Sequence, residues 1–307
     1  MKNTHIEHPE DSILTGDLSV LDWFIAESNI SAKIDGAPAI VWGTNPSNGK
    51  FFVGTKSVFN KVKIKINHSH DEIDKNHEGK VATILHHCFD NLPTTTGIYQ
   101  GDFIGFGGNL AYRPNTITYY FPEVVTQNII IAPHTYYISD KDLRDAIAYP
   151  LLFDSKTQSK WVQSDDDVLF VKPHIEIDSN RDDIHDLCNF ARQMSTLCEF
   201  PDVKKATKLK KQLNACIREN VELDDLTVEA IAFDNDIDVN VIRLWKLVES
   251  IKLDMFAYIT RFDEIECYID ESMCDHEGYV MHNKYGSFKL INRQVFSFYN
   301  FNLQKLW

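Results

Sequence analysis

Residues 30–42, Ile30-Ser31-Ala32-Lys33-Ile34-Asp35-Gly36-Ala37-Pro38-Ala39-Ile40-Val41-Trp42, set a lysine, an aspartate and a glycine between two apolar runs. Both runs have strand texture. A lysine attacks phosphorus only as the neutral amine, and its ordinary pKa of about 10.4 keeps it protonated at neutral pH. Burial and neighbouring cations lower that value and turn the amine into a nucleophile. Four residues of the form K-x-D-G also fit a surface turn with a charged rim. Their meaning therefore depends on what the rest of the chain supplies.

Working outward, Leu18, Val20, Leu21, Phe24 and Ile25 recur at helical spacing and predict a helix near 17–27. After Gly36, the strand Ala37–Trp42, the turn Thr44–Gly49 and the strand Phe51–Val53 predict a hairpin or meander with Lys33 at its lip. Residues 71–91 carry Val81, Ile84, Leu85 and Phe89 on one helical stripe. Strands are expected at Ile98–Ile104, Ile117–Phe121, Ile129–Ile131 and Val168–Lys172, with a Gly-rich turn at Gly105, Gly107 and Gly108 and a short helix at Asp140–Ala148. From 180 to 265 the apolar spacing becomes helical throughout, and strands return at Tyr279–His282 and Phe288–Ile291. The expectation is an α+β chain. Residues 1–179 and 266–307 form one domain of antiparallel sheets flanked by helices, and 180–265 form an all-helical insertion.

Composition narrows the classes. A chain of 307 residues with 43% hydrophobic content can bury a sizeable core. No apolar run approaches the roughly 20 residues that cross a bilayer, and the polar stretch Met1–His8 lacks a signal-peptide core. Six scattered cysteines without C-x-x-C spacing read as free thiols in a reducing compartment. Cys274, His276 and His282 make only a weak metal pattern. A net charge of −14 argues against a broad electrostatic grip on nucleic acid but leaves room for a local basic groove. Two basic stretches exist, Lys50–Lys65 and Lys204–Lys211; the second reads first as a solvated face.

Three further pieces follow Lys33-Ile34-Asp35-Gly36 in order. They are Tyr99-Gln100-Gly101-Asp102-Phe103, Glu277-Gly278-Tyr279-Val280-Met281 and Ser287-Phe288-Lys289-Leu290-Ile291. In this order the chain resembles the covalent nucleotidyltransferase superfamily of ATP-dependent DNA ligases, RNA ligases and mRNA capping enzymes, and most closely the RNA ligase 2 type, whose E-G-Y-V matches residues 277–280. The resemblance implies an ATP-grasp-like nucleotidyltransferase core and one nucleotide pocket. Lys33 attacks the α-phosphate of ATP and becomes a lysyl–AMP. Lys289 neutralises charge on that phosphate and lowers the pKa of Lys33. Glu277 holds or orients Mg²⁺ (or Mn²⁺), and Asp102 assists the metal or takes a ribose hydroxyl. Lys56 stands where the family has an arginine, Phe121 (with Tyr120 in reserve) is the ring for the base, Asp35 plays a supporting role, and Gly36 lets the backbone approach the nucleotide.

The implied activity is joining of polynucleotide ends, RNA favoured over DNA, with nucleic acid ends and ATP as partners. A capping-type guanylyltransferase and a non-catalytic protein with a degenerate pocket are the alternatives. The implied setting is cytoplasmic, the host cytoplasm if the chain comes from a bacteriophage. Three departures bear on the later ligation steps. Lys56 replaces the arginine, Ile291 stands where a second lysine is usual, and His282 takes another lysine position. Only 18 residues follow Lys289, so no C-terminal OB domain is expected, and the helical block is the candidate substrate grip.

Overall fold

A computed structural model describes residues 6–151 and 162–303. The chain opens with α1 (Pro9–Ser12) and α2 (Ser19–Ile25), then β1 (Asn29–Lys33). The strands β2 (Ala39–Thr44) and β3 (Phe51–Gly54) form the expected hairpin. Lys33 is not at its lip. β1 leaves that sheet and pairs antiparallel with a strand from the far end of the chain. Ile30 and Ala32 of β1, half-buried, pack there with Tyr279 and Met281 in one core.

The stripe at 71–91 is two helices, α3 (His70–Asn76) and α4 (Gly79–Asn91). His77 and Glu78 between them are extended, with φ of −137° and −133°. Next come β4 (Ile98–Phe106), β5 (Ala111–Tyr112), β6 (Thr118–Tyr120), β7 (Ile129–Ile138), β8 (Ile147–Pro150), β9 (Val168–Phe170) and β10 (Ile175–Ile177). The helix expected at Asp140–Ala148 is one 3-10 turn, Leu143–Asp145, followed by β8. Its apolar residues alternate well enough to pair with β7, and pairing satisfies the backbone there. The large sheet runs β3-β2-β4-β7-β8, with β9 parallel to the first half of β7. One face, including Trp42, Tyr99, Phe103 and Ile131, packs on Ala82, Leu85 and Cys88 of α4.

Four helices follow, α5 (Asp182–Ser195), α6 (Val203–Arg218), α7 (Asp225–Asn235) and α8 (Val239–Asp254). The carboxylates of Asp202, Asp224 and Asp238 accept N–H groups at the starts of α6, α7 and α8. Such caps satisfy donors that a helix leaves open. The chain closes with β11 (Ile259–Arg261), β12 (Glu266–Ile269), β13 (Ser272–Met273), β14 (Gly278–Asn283), β15 (Gly286–Leu290) and α9 (Arg293–Asn302). The order β1-β14-β15 makes a second sheet, and β13-β12-β6-β5 a third. Tyr279, Met281 and Leu290 from the second sheet share one core with Trp23 and Phe24 of α2 and with Leu209, Leu213 and Trp245 of the helical block. The molecule is thus α+β with antiparallel sheets. No helix among the described residues is long and apolar enough to cross a membrane.

A buried charge cluster ties the helices to that sheet. The Lys252 ammonium donates to Glu10 at 2.6 Å, and both side chains are 0% exposed. Arg293 Nη1 reaches Glu10 at 2.9 Å and Asp11 at 3.1 Å, and the Trp245 indole N–H donates to Asp11 at 3.2 Å.

Candidate functional site

The sheet β1-β14-β15 has one apolar face and one polar face. Ser31, Val280 and Lys289 form one row across the three strands, and Lys33 opposes Gly278. Paired residues share a face and alternate residues along a strand do too, so Lys33 and Lys289 project from the side opposite Tyr279 and Leu290. Just before β14, the Glu277 N–H donates to the Lys33 carbonyl at 2.9 Å. The two side chains form an ion pair, Lys33 Nζ to Glu277 Oε2, with 25% and 10% of their surfaces exposed. Gly278 makes this turn possible. It adopts φ +131°, and a Cβ there would stand 2.3 Å from the Leu290 carbonyl oxygen.

After Lys33 the chain crosses to the large sheet. The Ala37 N–H donates to the Phe103 carbonyl and the Phe103 N–H to that of Pro38, each at 3.0 Å. Gly36 therefore presses on β4. A Cβ on it would lie 2.7 Å from the Asp102 Cβ and 2.9 Å from the Phe103 carbonyl oxygen. The glycine is demanded by this protein–protein contact, which brings Asp102 to the site. Asp35 is 4% exposed, and its carboxylate accepts from Asn115 at 2.7 Å and from the Thr116 and Ile117 N–H groups at 2.6 and 3.0 Å. With its oxygens so engaged, it anchors the 115–117 loop rather than facing a nucleotide.

The electrostatics correct one expectation. Burial pulls the Lys33 pKa down, but the Glu277 carboxylate, with Asp102 and Asp35 beyond it, outweighs burial and holds the value above the ordinary one. The depressed lysine is Lys289, lowered by burial and then by the Lys33 ammonium, with Arg293 and Lys56 acting in the same sense. Burial also raises Glu277 above the usual carboxylate range, against the pull of Lys33. Lys33 thus rests as an ammonium beside a carboxylate that has a raised affinity for its proton.

Lys33, Asp102, Glu277 and Lys289 come together, and Lys56, exposed at the start of the 3-10 turn Lys56–Phe59, lies within electrostatic reach of Lys289. Phe121 packs edge-on against Tyr112 with ring centroids 5.5 Å apart, and Tyr120 points outward toward Tyr268. The aromatic tied to the lysine loop is Tyr119, whose buried hydroxyl accepts the Asp35 N–H at 2.6 Å. The β6–β12 pairing sets Tyr119 opposite buried Cys267, on the inward face. His134, also unforeseen, stands 3.7 Å from Asp102. Of the departing positions, Ile291 is 3% exposed and fills a core with Ile34, and His282 sits on the polar face with its Nδ1 2.6 Å from the Ser287 hydroxyl.

Behind Glu277, His276 contacts the Cys267 sulfur at 3.3 Å and Asp263 at 3.4 Å. This Cys–His–Asp row is not a thiolate nucleophile, because burial pushes the Cys267 thiol up to about 11. Among the described residues no three His, Cys, Asp or Glu side chains group as metal ligands. Glu277 and Asp102 still offer the hard carboxylate oxygens that Mg²⁺ favours, and such an ion takes its other positions from phosphate and water.

The chain belongs to a family of unknown function (DUF6267), whose model matches residues 3–238 and 226–305. No curated protein matches it. No solved structure matches it either.

Proposed function

We propose that this chain is an ATP-dependent polynucleotide ligase that works through a covalent Lys33–AMP, with RNA ends favoured over DNA ends. The observation that carries the reading is the ion pair of Lys33 with Glu277 beside Lys289 and Asp102. These residues are the ones on which the sequence resembles nucleotidyltransferases.

The first step in this reading balances within the site. The Lys33 proton passes to Glu277, the carboxylate already bonded to it, and a neutral pair is less costly to bury than two charges. The freed amine attacks the α-phosphorus. An N–P bond forms, the bond to the bridging oxygen breaks, and pyrophosphate leaves. Lys289 projects from the same face as Lys33, two strands away, and stabilises charge on the phosphate oxygens as they gain it. A Mg²⁺ held by Asp102, with Glu277 orienting it through a bound water, would supply further positive charge to those oxygens. The AMP then passes to a 5′-phosphate end, and a 3′-hydroxyl displaces it.

The test is to incubate the protein with labelled ATP or GTP and Mg²⁺, denature it, and measure retained label. The expected result is acid-labile label from ATP on the wild type and none on Lys33→Ala. Lys289→Ala should reduce labelling by at least about 10²-fold, the cost of losing one preorganised charge stabiliser. Label from GTP instead would favour the capping-type activity. No label with either nucleotide would refute the reading.

A further inference from the structure

One side of the helical block carries a groove that the Lys33 chemistry does not use. It is a cavity of about 460 Å³ between α6 and α9, lined by Lys210, Lys211, Arg218, Arg293, Glu7 and Phe301 among others. Along α6, positions 204, 208, 211 and 218 fall on one helical face, so Lys204, Lys208, Lys211 and Arg218 form a cationic stripe about 21 Å long, of which Lys211 and Arg218 line the cavity and Lys204 and Lys208 extend beyond it. Among the described residues Lys208 and Lys211 carry no ion pair. Lys210 is different: Glu7 at 2.8 Å and Asp11 at 3.6 Å hold it on the inner wall. At the end of the stripe the Arg218 guanidinium lies 5.0 Å over the Phe301 ring, which is 60% exposed.

The stripe ends on an exposed ring, in a chain whose net charge is −14. Phosphates at regular intervals match the cations, and bases stack on rings and guanidinium planes. An acidic peptide would match the charges but give Phe301 no role. The Glu7 carbonyl accepts the Lys289 N–H at 3.0 Å, and Glu7 bridges Phe288 in parallel, so the groove wall is bonded to the strand that carries Lys289.

We propose that the α6–α9 groove binds a single-stranded polynucleotide along its sugar–phosphate backbone. That the strand's end reaches Lys33 rests on the ligase reading; the binding itself does not.

The test measures fluorescence anisotropy of a labelled, 5′-phosphorylated single strand of about 12 nucleotides, within the usual site sizes, across a salt series. Lys208→Ala/Lys211→Ala/Arg218→Ala should weaken binding at least tenfold at low salt. It should also flatten the salt slope by about 2, near 0.7 for each lost phosphate contact. Phe301→Ala should weaken binding with the slope unchanged. ATP labelling of Lys33 should be unaffected in every variant. Wild-type affinity in the triple variant overturns the proposal. So does loss of binding on Lys61→Ala/Lys63→Ala instead, or an acidic peptide of equal charge that binds as tightly and ignores Phe301. Strand binding without lysine labelling would sink the ligase reading and leave the groove standing, and labelling with an indifferent triple variant would do the reverse.

Discussion

Replacing Lys252 with methionine removes one charge from the buried cluster and keeps the side chain's length. Losing one partner of a buried pair costs about 3–5 kcal/mol, because the other charge is left in a low dielectric. Here the carboxylate is not abandoned. Arg293 remains 2.9 Å from Glu10 and also serves Asp11 at 3.1 Å, which Lys210 reaches at 3.6 Å, while Glu249 loses the cation 3.9 Å away. That sets the expected loss at the lower end, about 3 kcal/mol. For a chain of this size it corresponds to a drop in Tm of about 6 °C. Urea unfolding and differential scanning calorimetry at neutral pH measure it. The control is Lys252→Met/Glu10→Gln, which leaves Arg293 matched to Asp11. It should return to within about 1 kcal/mol of the wild type, which makes the coupling between the two changes at least about 2 kcal/mol. A loss below about 1 kcal/mol in the single variant would refute the reasoning. So would a double variant as unstable as the sum of the singles.

Two more outcomes follow from the same geometry. Gly36→Ala puts a methyl group against β4 where only hydrogen fits, so it should cost about 1–3 kcal/mol. It should also shift Asp102 away from Lys33, cutting nucleotide labelling by about 10²-fold; a variant with wild-type Tm and labelling would contradict the close contact. Acid should weaken the fold before the carboxylate range is reached. Burial, with Arg293 and Lys252 nearby and Glu10 opposing, lowers the His8 pKa to about 2. The unfolded chain, where His8 keeps its ordinary value near 6.5, therefore binds the proton first as pH falls. Stability should decline below about pH 6.5, by up to about 1.4 kcal/mol per pH unit for each such proton. Buried His276 and half-buried His77 and His282 are shifted in the same sense. Glu10, also lowered to about 2, adds to the loss below its unfolded value near 4.5. His8→Phe should flatten the slope of unfolding free energy between pH 6.5 and 5; an unchanged slope would remove His8 from the account.

The strands around Lys33, Asp102, Glu277 and Lys289 were legible because each is short, apolar and punctuated by glycine. The helices of the 180–265 block were legible because their apolar stripes repeat over long stretches. Pairing between distant strands was not. Nothing local to β1 says that its partner lies at 278–283 rather than at 39–44, since both offer apolar strands. The Glu10–Lys252–Arg293 cluster was hidden for the same reason. Each member lies in a different part of the chain, and a charged residue usually marks a surface. Tyr119 and His134 gain meaning only through what they touch, Asp35 and Asp102. The inversion at Lys33 and Lys289 was also out of reach, because its sign depends on which lysine sits closer to Glu277.

Lys33 and Glu277 are 244 positions apart in the chain. During synthesis the ribosome therefore releases a lysine whose carboxylate partner does not yet exist, and the strand meant to flank it has no edge to join. Nascent chains, and fragments cut anywhere in the helical block, hold the amine without its acid. The Lys33–Glu277 pair therefore forms late, only once residues 277–289 have left the exit tunnel.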